Sequence, residues 1–391
     1  MKPTLYGEER QRLLQLLAKE YAVRENRGEQ AEALEEAAEL LLRASAKAAD
    51  TDRERLRIAV ETLSKNRNTV VYDDFGLPSV MVRVPALRES DVLAQGTQAL
   101  HPAFLPGEAE TLVGKYQCSL LDGQACSLPL ATPLYGQTLD EAVSRCRRKG
   151  AGWHLTPFAL RMAIALRCRH NGFLPRGNSR DGYCYVAAQE HGLPADGGVV
   201  LTGSGPATWA DGGTPDGIYD LSGNLNEWDS GFRLMNGEIH IIPIQALLEP
   251  DADMGPESPL WTAILETGAP ARPGTPGTLK YDAPAGRVRL TRTIEYPGVG
   301  NSAFADLQAE PGLAVPNAAR LLGLYPEEDR QGYEQGWRWI ATEGETLPLS
   351  GGAHRADDHA GVFFVGATYP RTKNYNLTGF RLLYRSGEGA R

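Results

Sequence analysis

The sequence lacks any apolar run of about 18 residues, which is the length that a membrane-spanning helix needs. We therefore expect no membrane span. The first residues, MKPTLYGEERQRLL, contain no apolar stretch of the kind that a secretory signal carries before its cleavage site. This absence favours a cytoplasmic or particle-associated protein and leaves both locations open.

An excess of basic residues is also missing, because the formal net charge is −9 at pH 7. Proteins that hold nucleic acid or an anionic membrane surface need a basic face, so we expect neither partner. The motifs of several enzyme classes are absent as well, since there is no GxSxG, HExxH, P-loop or GxGxxG segment.

Cysteine is scarce and confined to one third of the chain, where the five residues are Cys118, Cys126, Cys146, Cys168 and Cys184. Their spacing fits no zinc-binding template. An odd number of cysteines without a secretory signal predicts reduced, mostly buried thiols. A disulfide between two of them stays open.

Two regions of the chain differ in their residue patterns. Residues 1–66 carry Leu and Ala at helical spacing among Glu, Arg and Lys, which predicts a helical N-terminal segment. In residues 67–391, short β-rich runs alternate with Gly and Pro clusters, and helices are predicted at about 138–149 and 157–170. The N-terminal segment is either a helical unit packed on the main domain or an oligomerisation or attachment module.

Several segments of the main domain are, taken together, typical of one family. GIYDLSGNLNEW at 217–228 precedes NGEIHIIP at 236–243, and the chain closes with SGGA at 350–353, AGVF at 360–363 and GFRLLY at 379–384. With these segments the chain resembles the variable proteins of diversity-generating retroelements over roughly residues 67–391. The resemblance implies an α+β fold that is C-type-lectin-like, of the formylglycine-generating-enzyme subtype, with a helical N-terminal segment.

The resemblance implies ligand binding without catalysis. Formylglycine-generating enzymes need a pair of reactive cysteines near the C-terminal GFR strand, but this sequence has no cysteine after Cys184. We therefore expect no catalytic residue and no cofactor, and a protein or another macromolecular surface as the partner. Two alternatives stay open: an enzyme of the same superfamily with altered chemistry, and a structural subunit of a phage-like particle.

Two groups of residues raise the question of a metal site. Two His and two Asp occur within residues 354–359, and these residue types bind zinc or iron. Glycines on both sides favour a loop over the helix that would bring the two His together, so we expect no metal there. Asn224 and Glu227 are possible calcium ligands, although capping of a turn is the plainer interpretation.

Residues 353–378 have the composition that the resemblance implies for a variable segment. In the retroelement family, adenines of a template are miscopied, and asparagine codons then change to many residue types other than Glu, Gln, Lys, Met and Trp. Only Lys373 among these 26 residues belongs to the excluded types, whereas average usage predicts about five. With AGVF and GFR as fixed landmarks, the resemblance implies these variable, ligand-binding positions: His354, Arg355, Ala356, Asp358, His359, Phe364, Gly366, Thr368, Tyr369, Lys373, Asn374, Tyr375 and Leu377.

Local alternation predicts how this segment is oriented. Phe364, Gly366 and Thr368 are expected on the exposed face of a strand, with Val365 and Ala367 in the core. The positions before and after AGVF can form one site only if the fold brings them together.

Three residues of the matching segments are expected in the interior. We expect Trp228 to fill the core beneath the ligand-binding face. In the GFR segment we expect Phe380 to point inward and Arg381 to reach a carboxylate or backbone carbonyl groups.

Overall fold

The computed structural model describes residues 50–386. Within this range the chain has a mixed α+β fold made mostly of β-sheet, as the sequence predicts. The predicted helical segment 1–66 lies mostly outside the described residues, and only its last helix falls inside. The α-helices are α1 (Asp50–Leu63), α2 (Leu139–Arg147), α3 (Phe158–His170), α4 (Ile244–Leu247) and α5 (Asn317–Leu321). No helix in this part of the chain has the length and apolarity needed to cross a membrane.

Helices α2 and α3 lie where the sequence predicts them. α2 begins at a capping box, in which the Glu141 N–H donates to the Thr138 hydroxyl and the Thr138 N–H donates to the Glu141 carboxylate. α3 is buried along most of its length, and even the side chain of Arg161 is enclosed. A buried guanidinium group requires a buried partner.

The first sheet has five strands, β1 (Asn68–Tyr72), β2 (Pro78–Pro85), β3 (Glu110–Gly114), β6 (Trp153–Leu155) and β22 (Leu382–Tyr384). Their spatial order is β1-β2-β3-β22-β6. Leu56 and Val60 of α1 are buried in one cluster with Val70 and Val80 of this sheet, which holds α1 against it. Two hairpins stand apart from the sheets, and their strands are β4 (Cys118–Leu121), β5 (Gln124–Ser127), β7 (Tyr183–Cys184) and β8 (Ala187–His191).

The second sheet has thirteen strands. They are β9 (Asn226–Trp228), β10 (Phe232–Met235), β11 (Glu238–Ile241), β12 (Thr262–Ile264), β13 (Pro270–Ala271), β14 (Lys280–Asp282), β15 (Arg289–Thr291), β16 (Val299–Ala303), β17 (Gln308–Ala309), β18 (Trp337–Ala341), β19 (Glu345–Ser350), β20 (Val365–Tyr369) and β21 (Thr378–Phe380). The main path is β16-β18-β20-β19-β10-β11-β14-β15-β17. β12 and β13 branch from β11, and β9 and β21 branch from β19.

The C-terminal segment joins the two sheets. β21 pairs in parallel with β9 of the second sheet, and β22 pairs with β3 and β6 of the first. One apolar cluster contains side chains of both sheets, among them Trp228, Leu349, Phe380 and Leu382. Trp228 and Phe380 have no exposed surface, which confirms that both are core residues.

All five cysteines lie within the described residues, and each is a buried free thiol. Burial raises the pKa of Cys146 and of Cys168 to about 12. The burial of all five confirms the prediction of buried thiols, and a raised pKa keeps Cys146 and Cys168 protonated at neutral pH.

Candidate functional site

A buried ionic group lies beneath the C-terminal segment. Arg381 donates from Nε and Nη2 to the two carboxylate oxygens of Glu227, at 2.9 and 2.8 Å. Arg161 lies beside the same carboxylate, with its Nη1 3.2 Å from Glu227 Oε2, and all three side chains are buried. Burial raises the pKa of Glu227, but the two guanidinium groups outweigh this effect and hold the pKa below its usual value. The ionised Glu227 thus connects β9, α3 and the C-terminal segment, and the prediction that Arg381 reaches a carboxylate is confirmed.

Asn224 stabilises the turn before β9, and Glu227 lies within β9 as the carboxylate between Arg161 and Arg381. Asn224 Oδ1 accepts hydrogen bonds from the Val200 N–H at 2.9 Å and from Asn178 Nδ2 at 3.2 Å. Asn224 has a φ of +63°, a backbone conformation that asparagine tolerates in turns. Within residues 50–386, no group of three His, Cys, Asp or Glu side chains could hold a metal ion. The contacts favour the turn interpretation of Asn224 over calcium binding, whereas Glu227 pairs with two guanidinium groups, which differs from the turn-capping role expected of it.

The loop at residues 353–359 is attached to the segment at 178–182. Arg180 binds Asp357 through two hydrogen bonds, from Nε to Oδ1 at 2.8 Å and from Nη2 to Oδ2 at 2.7 Å. The main chain adds two more, because the Asp181 N–H donates to the His354 carbonyl at 2.7 Å and the Asp357 N–H donates to the Ser179 carbonyl at 2.9 Å. Asp357 is not among the predicted variable positions, so these contacts do not depend on the side chains expected to vary.

His354 is buried, which differs from the exposed position expected for a variable residue. Its Nδ1 is 2.9 Å from Asp181 Oδ1. The ring fits against Gly198, where a Cβ atom would lie 2.7 Å from the same nitrogen. Burial lowers the pKa of His354, so the imidazole is neutral at neutral pH. His354 therefore supports the loop instead of contributing to an exposed surface.

An aromatic cluster lies beside this loop, and the sequence analysis missed it. The ring of His359 is 4.2 Å from that of Trp337 and 5.9 Å from that of Trp339, measured between centroids. Both tryptophans are half-buried and alternate along β18 with the buried Arg338 and Ile340. The available signal was the WRWIA alternation, which places two large aromatic side chains on one face of a strand.

A β-bulge in β20 decides which of its residues share a face. Gly366 lies opposite Leu349, but the next pair along β19 and β20 is Leu347 with Tyr369. Ala367 and Thr368 therefore lie together opposite a single residue. Gly366 and Tyr369 consequently point to the same side, whereas simple alternation predicts Gly366 and Thr368. Val365 and Ala367 are buried, which confirms the core side of the prediction.

Tyr369, Lys373 and Tyr375 form a second surface group. The two tyrosine rings are 5.7 Å apart, and Lys373 Nζ lies 5.5 Å from one ring centroid and 5.6 Å from the other. Tyr369 also packs against the apolar cluster around Trp228, and burial raises the pKa of its hydroxyl. The side chain of Tyr369 is thus partly packed in the core and partly exposed at the surface.

Most of the predicted variable positions are accessible. Gly366 is buried, which differs from the exposed position predicted for it, but a Cβ atom there would meet the Phe364 ring at 3.5 Å and the Leu349 carbonyl at 4.0 Å, which are ordinary van der Waals contacts. The exposed positions are Arg355, Asp358 and Asn374, and the half-buried ones are Ala356, His359, Phe364, Thr368, Tyr369, Lys373, Tyr375 and Leu377.

The two tyrosines are expected to differ in their effect on stability. Tyr375→Ser should change the free energy of unfolding by no more than about 0.5 kcal/mol, because the ring packs on the surface. Tyr369→Ser should cost about 1–2 kcal/mol, since part of this ring packs on the core. Thermal denaturation of the two variants measures the difference, and equal losses would show that Tyr369 does not contribute to the core more than Tyr375 does.

No protein-family model matches this chain, and no curated protein sequence is significantly similar to it. The side chains and their geometry are therefore the basis for inferring its function.

Proposed function

We propose that this chain is a hypervariable ligand-binding protein that is diversified by a retroelement. Its scaffold would be C-type-lectin-like, of the formylglycine-generating-enzyme subtype. The observation that carries the proposal is the accessibility of the predicted variable positions, all of which except His354 and Gly366 have exposed or half-buried side chains. These side chains are attached to a backbone that other residues hold in place.

One set of residues fixes the backbone of the proposed binding surface, and a different set supplies the side chains that can change. The loop at 353–359 is held by Arg180, Asp357 and main-chain hydrogen bonds. The segment at 378–384 is held by strand pairing and by the buried bonds of Arg381 to Glu227. Surface substitutions away from such contacts usually change stability by less than about 0.5 kcal/mol, so the variable side chains can change without loss of the fold.

The accessible side chains suit a protein surface as the ligand. Tyrosine contributes large contact area with few rotatable bonds, and Tyr369 and Tyr375 lie side by side. About a dozen variable side chains could supply roughly half of the 800 Å² that each partner contributes to a standard interface. We expect modest affinity, with the tyrosines as its main source.

Two observations support the finer assignment of the scaffold. The segments that carry the family resemblance come together in space, since β9 ends GIYDLSGNLNEW and pairs with β21 of the GFR segment. No cysteine lies near Arg381 in sequence, because the last cysteine of the chain is Cys184. The reactive cysteine pair that formylglycine-generating enzymes carry beside this segment is therefore missing from the sequence here, and their chemistry is not part of the proposal.

A display library tests the binding function directly. All predicted variable positions except His354 are randomised in the full chain, and the library is selected against hen egg-white lysozyme as an arbitrary protein target. We expect specific binders whose affinity is lost when the variable residues of this chain are restored. Failure to recover any binder from a library whose members fold normally would contradict the proposal.

Diversification is tested by the DNA around the gene. We expect a nearby copy of codons 350–385 that differs only at adenines, together with a reverse transcriptase gene.

A further inference from the structure

We propose that Trp337 and Trp339, referred to here as the tryptophan pair, form an unchanging anchor for a protein ligand, and that the residue at position 359 controls its exposure. The inference rests on the proposed binding function. The pair lies outside residues 353–378, so diversification of that segment would leave it unchanged in every variant.

The tryptophan pair belongs to the same sheet face as the variable strand. Trp339 lies opposite Gly366 on β20 and opposite Asn301 on β16, so one row of paired residues runs across the three strands. Paired residues on neighbouring strands point to the same side. Any side chain introduced at Gly366 would therefore lie directly beside Trp339.

The pair differs from the other tryptophans of the chain. The sequence contains six, and the remaining four, Trp153, Trp209, Trp228 and Trp261, are at most 4% exposed. Trp337 and Trp339 are half-buried on the outer side of β18. Tryptophan is among the residues that most often dominate binding energy at interfaces, and a strand holds it at little entropic cost.

His359 covers part of the tryptophan pair. Its ring contacts Trp337 at a centroid distance of 4.2 Å and lies 5.9 Å from the Trp339 ring. The Trp339 Nε1 atom is buried and has no hydrogen-bond partner. An unpaired buried N–H group costs free energy, and a ligand acceptor that paired with this group would remove that cost.

The surroundings of the pair indicate which ligand chemistry it would bind. The outward residues of the neighbouring strand β16 are Val299, Asn301 and Ala303, and none carries a charge. Val299 is 63% exposed, which leaves an apolar side chain at the border of the surface. On the other border lies Asp358, whose Oδ1 is 3.9 Å from His359 Nε2. An aromatic surface with an uncharged border on the β16 side fits an apolar side chain projecting from a protein partner.

Fluorescence quenching tests the covering role of His359 without any ligand. Since the other four tryptophans are buried, acrylamide acts mainly on the tryptophan pair. His359→Ala should raise the quenching constant and shift the emission to longer wavelength, whereas His359→Phe, which keeps a ring at this position, should change neither. The response to His359→Ala should disappear in a chain that also carries Trp337→Phe and Trp339→Phe. An unchanged quenching constant in His359→Ala would overturn the covering role.

The lysozyme binders test the anchor itself. Trp337→Ser and Trp339→Ser, introduced separately into selected binders, should weaken lysozyme binding about tenfold or more. Phe75→Ser is the control, because Phe75 is also aromatic and 50% exposed but lies in the turn between β1 and β2. Melting curves show whether each serine variant is folded. If Trp337→Ser is not folded, Trp337→Phe replaces it, and this variant should bind lysozyme more tightly than Trp337→Ser because it keeps an aromatic ring.

Binders that keep their affinity in both serine variants would overturn the anchor while leaving the binding function intact. Saturable changes in tryptophan fluorescence with cellotetraose or chitotetraose would identify a carbohydrate site instead and would also overturn the proposal. If the library yields no binders at all, the proposed function fails and the anchor fails with it, because the inference rests on that function.

Discussion

Replacing Glu227 with alanine is expected to lower the free energy of unfolding by about 3–5 kcal/mol, because it leaves two guanidinium groups buried without their counter-charge. Arg161 and Arg381 have no exposed route to water that would relieve this loss, since both are at most 2% exposed. Folded domains are stable by only about 5–15 kcal/mol, so the variant should unfold at a much lower urea concentration. Urea denaturation followed by circular dichroism measures the change.

Two companion variants separate the effect of charge from that of volume. Glu227→Gln keeps the shape of the side chain and should still destabilise the fold strongly, because the charge is what pairs with Arg161 and Arg381. Glu110→Ala removes a carboxylate that is 39% exposed and pairs with Arg83, and it should cost far less. If Glu227→Gln unfolds at the same urea concentration as the original chain, the ion pairs of Glu227 with Arg161 and Arg381 do not stabilise the fold.

Replacing Trp228 with alanine is expected to destabilise the fold by about 3–5 kcal/mol, because a large cavity would remain in the core. The indole lies in the apolar cluster with Leu349 and Phe380, and its Nε1 donates a hydrogen bond to the Gln137 carbonyl at 2.8 Å. The substitution would therefore remove both apolar packing and a hydrogen bond. Tyr369 packs against the same cluster, so this variant should also lose order at the proposed ligand-binding face.

Trp337→Ala is the matched control for this prediction. The chemical change is the same, but Trp337 is half-buried on the outer side of β18 and should cost less than half as much. Both variants can be compared by thermal and urea denaturation under the same conditions. Equal losses at the two positions would mean that Trp337 belongs to the core, which would also remove the basis for the tryptophan pair as an anchor.

The GFR segment illustrates how much of the site follows from sequence. Its alternation and its aromatic and basic residues predict that Phe380 points inward and that Arg381 reaches a carboxylate or backbone carbonyls, and both are confirmed. The identity of the carboxylate could not be predicted, because Glu227 lies 154 residues earlier in the chain. The same holds for His354, whose burial depends on Asp181 and Gly198 packing against it.

Strand β20, which carries several of the proposed variable positions, shows a similar division between what the sequence predicts and what the fold decides. The inward positions Val365 and Ala367 follow from a period of two residues, and the structure confirms them. The pairing of Gly366 and Tyr369 on one face does not follow, because the bulge opposite β19 adds a residue that the strand's own pattern does not reveal.

The sequence by itself determined the α+β character of the chain, the positions of α2 and α3, the burial of Trp228 and the lack of any thiol after Cys184. These properties depend on composition and on periods of a few residues, which are local. Only the tertiary structure decided that Arg180 holds Asp357 across 177 residues and that His359 covers the tryptophan pair. Contacts between distant segments depend on strand order and register, and these are set by the packing of the whole core.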